Sequence, residues 1–175
     1  MKKNNRITFC AMMSALACAV MLTSYFPYLT YAIPAMAGLF IMAAVIEIGK
    51  KWALLSYISS AVIVFLIAEP EAKLMYIGFL GYYPILKAVI ERLRKPVIEW
   101  ILKVISFNAA VIIIYCLFAS AFGISFDDFG VLGKYGAVIT LGMGNVVFVV
   151  YDIAVARMAM FYNFVIRPKI KKFLK

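Results

Sequence analysis

The chain reads as an all-α integral membrane protein of six transmembrane helices with both termini cytoplasmic. Three observations predict this. Of 175 residues, 66% are hydrophobic, and the mean hydropathy is +1.00, outside the range of a soluble globular domain. The apolar residues fall into six runs, most of them close to the ~20 residues that a helix needs to cross a bilayer. The charged residues gather at the ends of those runs. A chain of this length holds one membrane domain, residues 1–175, with no folded soluble appendage.

The first span, about residues 7–26, is introduced by Lys2, Lys3 and Arg6 and closed by Pro27. Its interior is uncharged, and the basic flank predicts a cytoplasmic N-terminus. Ala15-Leu16-Ala17 resembles a signal-peptide cleavage site, but the apolar run continues beyond it to Phe26, which predicts a retained span. Ala11, Ala15 and Ala19 fall at i, i+4 and i+8, with Ser14 and Cys18 beside them, a smooth face that another helix can approach closely.

The second span covers about residues 31–48, with Pro34 in its first turn and Glu47, Lys50 and Lys51 at its inner end. The third, residues 52–68, carries Ser56, Ser59 and Ser60 on or near one face. Glu69, Pro70, Glu71 and Lys73 are expected to form an outer turn. The fourth span, residues 74–93, should kink at Pro84. Arg92, Arg94, Lys95 and Pro96 end it.

The fifth span, residues 97–122, opens with Glu99 and Lys103, spaced for an i,i+4 pair. An outer loop from Gly123 to Gly133 carries Asp127 and Asp128, read as a solvated turn. The sixth span, residues 135–157, continues as a helical extension to 166, longer than a bilayer requires and expected to project into the cytoplasm. The basic tail, residues 167–175, should lie on the lipid surface. With an inside N-terminus, sixteen of the eighteen Lys and Arg residues face the cytoplasm, and only Lys73 and Lys134 lie outside.

The net charge of +10 is therefore read as contact with anionic lipids at the basic ends, not as nucleic-acid binding. There is no histidine, and Cys10, Cys18 and Cys116 have no metal-type spacing, so no metal site and no cofactor is expected. Phosphate loops, nucleophile elbows and metal-binding spacings are absent from the sequence, which argues against an enzyme.

Intramembrane polar groups are costly and are read as functional candidates. Tyr82 and Tyr83 precede Pro84, Asn108 and Tyr115 lie on the fifth span, and Asn145 lies on the sixth. Tyr82, Asn108, Tyr115 and Asn145 are the candidate ligand-binding set; for Asn108 or Asn145 alone, a bond between neighbouring helices is the simpler role. Lys87 with Glu91 is another pair one helical turn apart. Asp152 has no partner at i+4, which leaves a Lys on another helix as its candidate. Gly136, Gly142 and Gly144 suggest close packing of the sixth span.

The basic start running into Ile7-Thr8-Phe9-Cys10-Ala11-Met12-Met13-Ser14-Ala15-Leu16-Ala17, within six spans and this length, resembles the S components of energy-coupling factor (ECF) transporters. The resemblance implies a substrate-capture subunit in the bacterial cytoplasmic membrane. Its small-molecule substrate would be a vitamin, a precursor or a related metabolite. The implied partners are a transmembrane coupling protein and two cytoplasmic ATPases, with Ala11 and Ala15 docking on the coupling protein and Ala19 extending the seam. The chain also resembles the rod-shape determining proteins of the MreD type, which implies a six-helix scaffold without a small ligand.

Overall fold

A computed structural model describes residues 3–26, 29–122 and 136–169, apart from the side chains of Tyr115, 117–122, 136–138 and Thr140. The outer loop with Asp127 and Asp128 and the tail beyond Lys169 lie outside the described residues.

Six helical rods make up the described chain. Helix α1 is Lys3–Met21, prolonged by a 3-10 turn Leu22–Tyr25, and α2 is Ala32–Ile48. Helix α3 is Lys50–Ile67, and α4 is an interrupted rod, Pro70–Leu93. Helix α5 is Pro96–Phe122, and α6 is Gly136–Phe161, continued through a π turn Tyr162–Ile166 to Lys169. Five of the six are long and apolar enough to cross a membrane, which suggests a multi-pass membrane protein. Helix α2 is the exception at 17 residues, a rise of about 26 Å.

Helix α2 is the rod around which α1, α3, α4 and α6 pack. Its Ile33, Ala37, Ile41, Ala43, Ala44 and Ile48 are buried, and it touches α1, α3, α4 and α6. Small residues make this possible, because they let backbones approach. Only Gly49 separates α2 from α3, at φ 88°, a conformation that costs a glycine little.

Helices α1 and α3 run parallel in a fixed register of 42 residues. The Cys10 thiol donates to the carbonyl of Trp52 (3.3 Å), Ser14 to Ser56 (2.9 Å), Cys18 to Ser60 (3.8 Å) and Tyr25 to Ile67 (3.1 Å). Each step but the last advances one turn on both helices, so one stripe of α1 is committed to α3. Cys10 and Cys18 are packing residues here, as their apolar setting suggests, whereas Cys116 is exposed.

Two expectations about α4 are corrected. Residues Glu69 to Lys73 do not form a turn between spans. Pro70 begins the helix itself, and the Glu69 carboxylate accepts from the Ala72 N–H at 2.9 Å, capping it. The break also falls earlier than Pro84. A π turn at Tyr76–Leu80 places the Gly81 N–H on the Tyr76 carbonyl (2.8 Å), and the helix resumes at Tyr83 with Pro84 in its first turn.

This break strands two carbonyls, and both are recovered by tyrosines. The Ile77 carbonyl, whose usual donor would be Gly81, accepts from the Tyr57 hydroxyl of α3 at 2.6 Å. The Leu80 carbonyl, whose usual donor would be the missing N–H of Pro84, accepts from the Tyr151 hydroxyl of α6 at 3.1 Å. Gly38 of α2 lies directly against this last bond. A Cβ there would come 2.5 Å from the Leu80 oxygen and 2.8 Å from the Tyr151 hydroxyl.

Beyond Arg157, α6 continues as a helix to Lys169 and packs against α2. Tyr162 is buried in the cluster that holds Ile48 and Val155, and Arg167 Nε lies 3.1 Å from Glu47 Oε1 of α2. Helix α6 is continuous through Gly142 and Gly144. Gly144 makes room for Phe107, whereas Gly142 faces open space.

Candidate functional site

Polar and aromatic residues gather where α4, α5 and α6 meet, in three tiers along the helix axes. The periodicity of α6 sets the tiers: Asn145, Phe148 and Asp152 fall on one face over seven residues, a rise of about 10 Å. Helix α5 runs antiparallel beside it and offers Asn108, Phe107 and Lys103 in the matching order.

The first tier is an amide pair. Asn108 Nδ2 donates to Asn145 Oδ1 at 2.9 Å, and Asn145 Nδ2 donates back to Asn108 Oδ1 at 3.0 Å. Each amide spends its other N–H on the carbonyl one turn earlier in its own helix, Val104 or Leu141, at 2.8 Å. All four amide hydrogens are therefore engaged.

The second tier is aromatic. Phe107 and Phe148 stack with centroids 4.7 Å apart and planes 9° from parallel. Phe79 meets both edge-on, at 5.4 and 5.6 Å. Tyr83 closes the tier against Phe79 and Phe148. Such offset and edge contacts match the quadrupoles of the rings. Phe79, Tyr83 and Phe148 are buried, so this tier separates the polar groups on either side of it.

The third tier is a ring of four charges. Lys87 pairs with Glu91 (3.0 Å) and with Asp152 Oδ1; Lys103 pairs with Glu91 (2.9 Å) and with Asp152 Oδ2 (3.2 Å). The Tyr83 hydroxyl also donates to Asp152 Oδ1, and Lys87 reaches the Asp152 carbonyl at 3.2 Å. Lys87, Lys103 and Asp152 are 6%, 4% and 4% exposed, while the Glu91 side chain is 42% exposed. Two ammonium groups and two carboxylates make the ring neutral. Neutrality and full pairing are what make buried charge tolerable in an apolar setting. Asp152 thus finds two lysines on other helices, and Lys103 pairs across to Glu91 and Asp152, whereas the sequence spacing predicted Glu99.

Of the four candidate ligand-binding residues, the structure brings Asn108 and Asn145 into contact. Tyr82 is half-buried at the edge of the aromatic tier, 5.9 Å from the Tyr57 ring and 5.8 Å from that of Phe79. The Tyr115 side chain lies outside the described residues. The Lys87–Asp152–Lys103–Glu91 ring was only half legible in the sequence: the i,i+4 step from Lys87 to Glu91 was visible, and its closure through α5 and α6 was not. A shallow apolar groove lies elsewhere, between α3 and α4, lined by Ala61, Val62, Phe65, Leu66 and Ile77. No cluster of three or more His, Cys, Asp or Glu side chains suited to a metal occurs among the described residues.

The alanine face of α1 is turned outward. Ala11, Ala15 and Ala19 are exposed, together with Ile7 (48%), Met12 (47%) and Leu16 (41%), while Met13, Ala17 and Met21 of the same helix are buried. Packing on α2 and α3 uses the other side of the helix, so the smooth stripe has no neighbour among the described residues.

No family model, no curated protein and no solved structure matches the chain.

Proposed function

We propose that the chain is the substrate-capture subunit of an ATP-driven importer of the energy-coupling factor type, for a small, partly polar nutrient. The single observation that carries this reading is the outward alanine stripe of α1: Ala11, Ala15 and Ala19 sit exposed, while the opposite side of the helix, with Met13, Ala17 and Met21, is packed. Small residues at helical spacing associate by close van der Waals contact in lipid, and a coupling protein with its two ATPases would meet the chain there. In this proposal the termini and the loops rich in Lys and Arg face the cytoplasm, the basic ends rest on anionic lipid, and the chain has no catalytic role of its own. Tyr82, Asn108, Tyr115 and Asn145 would border the ligand, the Asn108–Asn145 pair forming the floor of its pocket.

Affinity purification from native membranes tests the docking role. Parent protein should bring down a coupling protein and ATP-binding subunits in fixed proportion, and Ala15→Trp should lose them while remaining folded. Retention of those subunits by Ala15→Trp, or their absence from the parent preparation, would remove the proposal.

One observation favours a second reading, a six-helix scaffold of the MreD type. The amide hydrogens of Asn108 and Asn145 are spent inside the bundle, which is what helix–helix fastening requires of them. A scaffold would bind no small molecule, and that difference separates the readings.

A further inference from the structure

The ion ring between α4, α5 and α6 has one member unlike the other three. Lys87, Lys103 and Asp152 are enclosed, and Asp152 is fixed from several sides: its two carboxylate oxygens serve different lysines, and Tyr83 adds a hydroxyl. Glu91 is held only by its single oxygen Oε1, at 3.0 Å from Lys87 and 2.9 Å from Lys103. Its side chain is 42% exposed. It stands on the 3-10 turn Glu91–Leu93 that ends α4, next to Arg94 in a left-handed conformation at φ 53°. Two buried ammonium groups converging on one oxygen make a cradle for an anion, and here a tethered carboxylate fills it.

With Glu91 swung out, Lys87, Lys103 and Asp152 leave one net positive charge facing the solvent-exposed mouth. The residues around that mouth attract anions further. Arg92 on the turn and Arg94 and Lys95 just after it are all exposed, and clustered charge of one sign raises the local concentration of its counter-ion. We propose that Lys87 and Lys103 form an anion site for a phosphate group, which Glu91 occupies in this structure and which phosphate enters by displacing the Glu91 carboxylate. An interhelix basic pocket of this kind suits the phosphate of a lipid headgroup or a free phosphate equally well. The site is independent of the capture function proposed above.

The test uses the full chain in neutral detergent, in phosphate-free buffer at constant ionic strength. Binding of inorganic phosphate and of short-chain phosphatidylglycerol is followed by thermal shift and by titration calorimetry, with short-chain phosphatidylcholine as the neutral-headgroup control. The parent should bind at least one phosphate probe saturably. Glu91→Gln should bind it about tenfold or more tightly, because the internal competitor has lost its charge. Glu91→Asp, which is too short to reach both lysines but keeps the charge, should fall between them; it serves as the reporter where Glu91→Gln does not fold. Binding of phosphatidylglycerol without inorganic phosphate would assign a lipid headgroup, and binding of both a free phosphate. No saturable binding by the parent, or no tightening in either Glu91 variant, would overturn the proposal. So would binding that is unchanged by Glu91 and disappears when Arg92, Arg94 and Lys95 are neutralised, since that is surface attraction only.

Discussion

Asn108 and Asn145 exchange hydrogen bonds in both directions across α5 and α6, at 2.9 and 3.0 Å. The exchange makes each amide the other's partner, and neither is readily replaced alone. Asn108→Ala should leave the Asn145 amide oxygen and one of its N–H groups without a partner and destabilise the protein by about 1–2 kcal/mol. The double variant should cost less than the two single changes together. Unfolding in mixed micelles, run as a double-mutant cycle, measures the coupling. Strict additivity would mean that the two amides do not act as a pair.

A second prediction concerns the break in α4. The Leu80 carbonyl depends on the Tyr151 hydroxyl because Pro84 has no N–H to offer it. Tyr151→Phe should therefore cost about 1–3 kcal/mol, the penalty for a buried acceptor left unsatisfied. Gly38→Ala should be destabilising as well, since its Cβ would meet the backbone oxygen of Leu80, which cannot step aside as a flexible side chain could. Equal unfolding midpoints for parent and Tyr151→Phe would show that this bond does not support the break.

The ion ring gives a third. Removing its buried carboxylate by Asp152→Ala leaves two buried lysines with only the half-exposed Glu91 between them and should cost about 3–5 kcal/mol. The half-exposed Glu91 should matter less to stability, because solvent screens it. The same micelle unfolding assay ranks the two variants, and a larger loss from Glu91→Gln than from Asp152→Ala would contradict the burial order in the ring.

The proposed topology is checked by labelling. In a background where Cys10, Cys18 and Cys116 are replaced by alanine, Pro70→Cys should react with an impermeant maleimide added to intact cells, and Lys95→Cys should not. Reaction at position 95 from outside would reverse the orientation inferred from the charge distribution.

The parts of the fold that local sequence governs were legible. The length of an apolar run sets the length of a helix in lipid, and the rods end within a few residues of the expected limits. The start of α4 was misread because its cap is Glu69, a residue seldom used at that position, while Pro70 in a charged stretch resembles a turn. The alanine stripe was legible as a face, since spacing fixes which residues lie together. That this face, and not the Ser14–Cys18 stripe, is turned outward depends on where α3 packs, 42 residues away. The site was legible as residue types and not as partners. Asn108 and Asn145 stood out as polar groups in apolar runs, but their pairing spans 37 residues, and the closure of the ring from Lys87 to Asp152 spans 65. Such pairings follow from helix packing, which periodicity alone does not determine.

The central claim is that this chain captures a small molecule, and ligand-induced stabilisation tests it most directly. Purified protein is screened by thermal shift against vitamins, nucleobases and their precursors in phosphate-free buffer, together with Asn108→Ala and Asn145→Ala. The account predicts that one compound stabilises the parent, by about 2.7 kcal/mol at a concentration a hundredfold above its Kd, and stabilises both variants less. A parent protein that no compound stabilises, while it remains folded and monodisperse, would contradict substrate capture and leave the scaffold reading in its place.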